Sequence, residues 1–318
     1  MLARSGDAPA TVHGRATKER SSPLPLPVSG TVPAKVQKRT GGKRGRGGSG
    51  CGGLRPGTPA FLQEVFRQYH HARFISPDPL ELVYLYHDPL DREIAGLIAS
   101  SLAYGRVGMI VRSARSVLEP MGASPRAFLE GAREEDLREI YRGFRHRFTT
   151  SGELTELLAG VRRAVGRYGS LEACFLAGLS GSDDTTRPAL AAFVRKLDPR
   201  VHERPSSLLP DPGKGSACKR LHLFLRWMVR ADEIDPGPWT GVSPAQLVVP
   251  LDTHMHRICS LLGMTARAQA DEKTAREITG RFRAIAPRDP VRYDFSLTRM
   301  GMRGKDIRDT MCPGARHR

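Results

Sequence analysis

One repeated dipeptide constrains this chain more than any other feature: a small polar residue followed by proline at the head of an apolar run. Thr58-Pro59, Asp88-Pro89 and Ser124-Pro125 all have this form. A Ser, Thr or Asp side-chain oxygen accepts a hydrogen bond from an N–H of a helix's first turn. Proline loses nothing at the first helical position, because its missing N–H would have no intrahelical partner there. Each dipeptide therefore predicts a helix start. The first helix is expected through His70, and the second, "PLDREIAGLIASSLAY", ends at Gly105. "ELTELLAGVRRAVGRY" places Leu154, Leu157, Leu158, Val161, Val165 and Tyr168 on one face, and Gly169 stops it. Further helices are expected near 187–197, 216–230, 253–262, 271–285 and 290–302, with the proline-bearing segment 231–247 as a loop. No alternating run is long enough to predict a sheet, and no repeat of fixed period occurs. The expected fold class is all-α, with about ten helices in residues 58–302.

The chain has 318 residues, 39% of them apolar, which supplies a core. Its charge is uneven: residues 1–57 hold 11 basic and 2 acidic residues, against 39 and 31 in the remainder. "TGGKRGRGGSGCGG" buries too little apolar area to offset the entropy of ordering, so 1–57 reads as a disordered basic tail. That tail is either a loose nucleic-acid-binding arm or an upstream extension of the reading frame. Residues 303–318 read as a short basic C-terminal tail. A basic body suits a polyanionic partner, DNA or RNA, while a solvated arginine-rich surface explains the same charge.

Five scattered cysteines without a CxxC pair argue against a disulfide framework, a zinc ribbon or a four-cysteine iron–sulfur cluster. A reducing cytoplasm fits. The uncharged run Ile94 to Gly105 is too short to cross a bilayer, which takes about 20 residues, and the N-terminus carries no apolar block of secretory type. A monomer in the cytoplasm, associated with the nucleoid if the source is bacterial, is the expectation.

Arginine outnumbers lysine 41 to 9, and after residue 57 only Lys196, Lys214, Lys219, Lys273 and Lys305 remain. Arginine stays protonated at any working pH, whereas a buried lysine can lose its proton and become a nucleophile. Two of the five fall in "PDPGKGSACKR", residues 210–220. Gly213 and Gly215 make a turn whose N–H groups suit a phosphate. Ser216 is expected to cap the next helix, with Lys219 at its third position. The positive end of a helix disfavours an ammonium by only about 0.3–1 kcal/mol. Lys219 therefore needs a recessed site to move from ~10.4 to the ~7–8 of a useful nucleophile.

"VVPLDTHMHRIC", residues 248–259, offers a carboxylate at Asp252 with three readings. Asp252 before "THMHRICSLLG" is a good N-cap, worth roughly 1 kcal/mol. Its ionised form is favoured at a helix N-terminus, which suits it to stabilising positive charge. A metal site built with His254 and His256 needs an extended backbone, because residues two apart on a helix face different directions. No metal or other cofactor is expected. His254 reads as a local hydrogen-bonding residue and His256 as a partly exposed helix residue.

These segments resemble the helix-hairpin-helix DNA glycosylases. "PLDTHMHRICSLLGM" is similar to the stretch in which their aspartate begins a helix at the end of a base-excision pocket. "EIAGLIASSLAYGRVGMIVRSA" resembles their early "LL-S-A-Q" helix, and "LLPDPGKGSACKRLHLFL" the hairpin and helix that carry the catalytic lysine of the bifunctional members. Over Phe61 to Gly301 the chain resembles a bacterial family known as a domain of unknown function, the 2400 family. The blocks "DREIAGLIASSLAYGR", "FRHRF", "GSACKRLHLFLRWMVR", "PLDTHMHR" and "DPVRYDFSLTRMGM" carry that likeness.

The resemblance implies a glycosylase-like helical fold with Lys219 as amine nucleophile and Asp252 as catalytic carboxylate. It implies damaged duplex DNA as partner, contacted through Gly213, Lys214, Gly215, Ser216, Arg220, His254 and Arg257, with Tyr104 or Arg106 in place of the glutamine. The sequence departs from the "G-V-G-x-K" hairpin: Lys219 comes four residues after Gly215, and Lys214 lies inside the glycine pair, so either lysine is a candidate amine. The wide separation of Lys219 and Asp252 is similar to that in archaeal 8-oxoguanine glycosylases, which act on an oxidised purine. Three functions follow: a DNA glycosylase with abasic-site lyase activity, a helical DNA- or RNA-binding protein without catalysis, or, on the metal reading, a metal-dependent hydrolase built on Asp252, His254 and His256.

Overall fold

A computed structural model describes residues 57–302. The readings of 1–57 and 303–318 as tails fall outside those residues, Gly57 apart. The fold is all-α, as expected. The three cap-and-proline dipeptides start helices. Thr58 Oγ1 accepts from the Phe61 N–H at the head of α1 (Pro59–Tyr69). Asp88 Oδ1 accepts from Leu90 at the head of α2 (Pro89–Ser101), after which comes α3 (Val107–Leu118). Ser124 Oγ accepts from Ala127 at the head of α4 (Pro125–Gly131), which α5 (Glu134–Ile140) follows. Asp78-Pro79 uses the same device for a 3-10 helix, Pro79–Leu85, that the apolar pattern did not reveal.

The long helix α6 (Ser151–Tyr168) opens on a reciprocal Thr150/Glu153 capping box and closes on Gly169 at φ 85°. A side chain at such an angle would collide with its own backbone, which is why glycine stands there. The helices α7 (Leu171–Leu176), α8 (Arg187–Leu197), α9 (Lys219–Val229), α10 (Thr253–Leu261), α11 (Glu272–Ile285) and α12 (Asp294–Met302) complete the order. One small antiparallel hairpin, β1 (Arg145–His146) with β2 (Thr149–Thr150), was not expected. Two-residue strands are too short for an alternating pattern to register.

The core forms around α2, whose residues Ile94 to Ser101 are all buried. Gly96 faces α9, where a Cβ would sit 2.7 Å from Met228 Cε and the flexible thioether would have to turn aside. The buried carboxylate of Glu93 accepts hydrogen bonds from the Leu171 and Glu172 N–H groups and from Trp239 Nε1, so it caps α7 from inside the core. Among the described residues, no helix is long and apolar enough to cross a membrane.

The start of α9 corrects the sequence reading. Ser216 does not cap it. Cys218 holds that position at φ 45°, without a side-chain cap bond, and Lys219 is the first helical residue. Ser216 instead pairs as an isolated bridge with Asp271, and Gly215 O accepts from the Glu272 N–H. Left-handed geometry costs a non-glycine residue roughly 1–2 kcal/mol. Cys218 is 3% exposed in the core, and its packing with that of the bridge fixes where the helix begins.

The other end of α9 is locked by buried charge. Arg226 contacts Asp235 at 3.1 Å and also Asp294. Arg230 contacts Asp235, Asp232 at 2.6 Å and Asp289 at 3.0 Å. His70 Nε2 adds a bond to Asp232 at 3.0 Å, bringing in the end of α1. The segment 231–247 is thus a loop, as expected, but one clamped by two arginines. Removing Asp235, which has no exposed surface, leaves Arg226 and Arg230 short of their shared counter-ion. Asp235→Ala is expected to cost about 3–5 kcal/mol in a denaturant melt. A loss under about 1 kcal/mol would mean that the cluster behaves like a surface ion pair.

Candidate active site

Buried Val248, Val249 and Leu251 bring the chain through the core to Asp252. Asp252 caps α10 as expected: its Oδ1 accepts from the Met255 N–H at 2.8 Å. Its other oxygen, Oδ2, lies 3.2 Å from Nζ of Lys219 at the head of α9. Each side chain keeps about a third of its surface, 33% for Lys219 and 38% for Asp252.

The pair stands where two cavities meet. One, of about 270 Å³, is walled by Ile110, Leu223 and Phe295 and ringed by Asp78, Arg226, Asp294 and Arg299. The other, of about 440 Å³, opens past Tyr104, Gly105, Ser216 and Arg220. Burial acts to raise the Asp252 carboxyl, but the Lys219 ammonium, the Met255 N–H and His254 outweigh it and hold it below its ordinary value. Asp294 moves the opposite way, since burial raises it further than Arg226 pulls it down. The recess therefore holds two carboxylates, Asp252 paired with Lys219 and Asp294 paired with Arg226.

Other expected residues divide into those that reach the recess and those that do not. Tyr104 and Ser216 line the larger cavity and His254 the smaller. Arg220 also lines the larger, but its Nη1 donates to the carbonyls of Ser101 (2.6 Å) and Ser207 (2.5 Å), so part of its guanidinium is spent on the fold. Lys214 lies away from the pair and donates to the His202 carbonyl. The Gly213 N–H is taken by the Asp211 carboxylate at 2.8 Å, an internal anion where the sequence suggested a phosphate. Gly215 is exposed and left-handed, at φ 75°. Arg106 and Arg257 are exposed outside both cavities.

His256 bonds the Arg267 carbonyl rather than joining His254. Among the described residues, no group of three His, Cys, Asp or Glu side chains is placed to hold a metal ion. Sequence reasoning missed the ring of Asp78, Arg226, Asp294 and Arg299. Its one local signal was a carboxylate set between apolar residues in "RYDFSL".

The family described as "Protein of unknown function (DUF2400)" matches residues 78–303. No curated protein and no solved structure matches the chain.

Cap and ion pair separate by substitution. Asparagine caps as well as aspartate, whereas loss of the cap costs about 1 kcal/mol. Asp252→Ala is expected to lose roughly that much more stability than Asp252→Asn. The advantage of wild type over Asp252→Asn should be constant at neutral pH. It should vanish as pH falls below 3.8, because the folded-state value lies beneath that ordinary one. Chemical melts across pH read both outcomes.

Proposed function

The chain belongs to the DUF2400 family, and we propose that it is a DNA glycosylase with abasic-site lyase activity, built on a fold akin to the helix-hairpin-helix glycosylases. One observation carries this reading: an amine and a carboxylate, distant in the chain, lie 3.2 Å apart on the walls of a shared recess. The geometry favours Lys219 over Lys214 as the amine.

The chemistry follows from the pair. An ammonium does not attack, so Lys219 first gives up a proton. Asp252 is within proton-transfer reach, and the departing base is the final acceptor. The Nζ lone pair forms a bond to C1′ as the C1′–N bond breaks and its electrons leave with the base. A second proton then leaves Nζ and one reaches O4′ as the C1′–O4′ bond breaks, so that the sugar ring opens to an iminium, the covalent route available to lysine. Loss of a 2′ proton expels the 3′ phosphate, and water releases the enzyme. The anionic Asp252 stabilises positive charge on the sugar before the new bond is complete. A base inside a duplex is out of reach of any recessed amine, so the nucleotide must leave the stack. Cavities of about 270 and 440 Å³ provide the space.

Borohydride reduction traps the iminium. Wild type is expected to form a covalent adduct with duplexes carrying an abasic site, and on a panel of damaged bases including 8-oxoguanine. Lys219→Gln is expected to form none while still binding, and Asp252→Asn to be slowed by at least 10²-fold, the scale of losing one charge-stabilising group. A wild-type protein that binds such DNA without a Lys219-dependent adduct is a binding protein and not a lyase.

A further inference from the structure

Beside the larger cavity stands a second surface that the amine chemistry does not use. The hairpin β1–β2 rests on two fully buried polar residues, His146 and Thr149. His146 Nε2 donates to the Tyr104 carbonyl at 3.0 Å, and its Nδ1 bonds Ser113 Oγ at 2.9 Å. Thr149 Oγ1 bonds Ser207 Oγ at 2.5 Å and also the Tyr104 hydroxyl, which donates to the His146 carbonyl at 2.9 Å. These bonds leave the turn pair Arg147-Phe148 standing outward on a rigid base.

Two features of that pair need a reason. Arg147 adopts φ 54°, where glycine or asparagine fits without strain. Phe148 is 61% exposed, more than any other large apolar side chain among the described residues. Its ring stacks on Tyr104, with centroids 4.9 Å apart and planes 21° apart. Tyr104 in turn lines the cavity that holds Lys219 and Asp252. The Arg147 guanidinium lies 6.0 Å from the Tyr104 ring and 5.9 Å from Phe148. Arg106, Arg145 and Arg147 are exposed and, among the described residues, pair with no carboxylate.

A flat apolar ring held rigidly in water, flanked by unpaired cations, complements a flat base flanked by phosphates. Stacking on aromatic rings accepts any base, because every base presents a π face. The geometry points to Phe148 as a stacking surface for an unpaired nucleobase next to the nucleotide at Lys219, with Arg145 and Arg147 on the flanking phosphates. This rests on the nucleic-acid part of the function proposed above and not on its covalent step. Phe148 and Arg147 touch neither the amine nor the carboxylate, so they act on binding and on the order of the strand.

The test uses 2-aminopurine, whose emission falls when it stacks, placed next to a tetrahydrofuran abasic analogue in duplex DNA, with single-stranded DNA and RNA as parallel arms. Wild type is expected to quench it in at least one arm, and the arm that responds identifies the nucleic acid. Phe148→Ala should bind roughly 5- to 100-fold more weakly and lose the quenching, while Phe148→Trp restores both. Arg147→Gln should lower the slope of log K against log salt by about 1. Thermal melts of Phe148→Ala should keep one cooperative transition, lowered only by the loss of the Tyr104 contact, because the hairpin rests on the buried His146 and Thr149.

No quenching in any arm, or Phe148→Ala behaving as wild type, overturns the stacking role. The covalent reading is scored separately with Lys219→Gln. Quenching kept while trapping is absent in wild type removes only the lyase; trapping kept while quenching is absent removes only the stacking surface.

Discussion

The arrangement depends on charge taken out of water at the C-terminal half of α9. Moving a guanidinium into a protein interior costs several kcal/mol, and only close, well-matched carboxylates offset it. Arg226 and Arg230 meet that condition through Asp235, which both share, and through Asp294, Asp232 and Asp289. Those contacts come from the 231–247 loop, from α12 and from the residues before it. Few alternative packings satisfy so many directional partners at once. The network therefore fixes the axis and rotation of α9, and with them the direction in which Lys219, at its other end, can point. Asp294 joins the two ends, since it binds Arg226 on one side and lines the smaller cavity with Lys219 on the other.

Asp252 shows how one side chain can serve two helices at once. The cap bond to Met255 uses Oδ1 and leaves Oδ2 for the lysine. A carboxylate held this way has little rotational freedom, so the amine meets a preorganised partner. The same interactions that keep it ionised make it a weak base and a good electrostatic partner for positive charge.

The helices were legible in the sequence wherever their ends were local chemistry. Thr58-Pro59, Asp88-Pro89, Ser124-Pro125 and Asp252 all cap what they were expected to cap. Ser216 has the right chemistry to cap α9 and does not, because a backbone bridge to Asp271 and the burial of Cys218 move the helix start. The glycine pair around Lys214 suggested an open phosphate cradle, yet Asp211 already fills one of its donors. Asp211 lies only two residues away, but nothing in the sequence says that its carboxylate turns back. The hairpin carrying Phe148 gave no strand pattern, since its stability comes from His146 and Thr149 bonding distant groups.

By itself, the sequence determined the all-α class, the position of most helix ends, and the residues whose chemistry stands out, Asp252 with Lys214 or Lys219. These follow from forces acting within a few residues: capping, apolar periodicity and the ionisation behaviour of each side-chain type. Only the tertiary structure decided that the two groups meet, which lysine does so, and that Asp78, Arg226, Asp294 and Arg299 close around them. Those facts depend on packing and charge pairing between segments far apart in the chain, which no local pattern encodes.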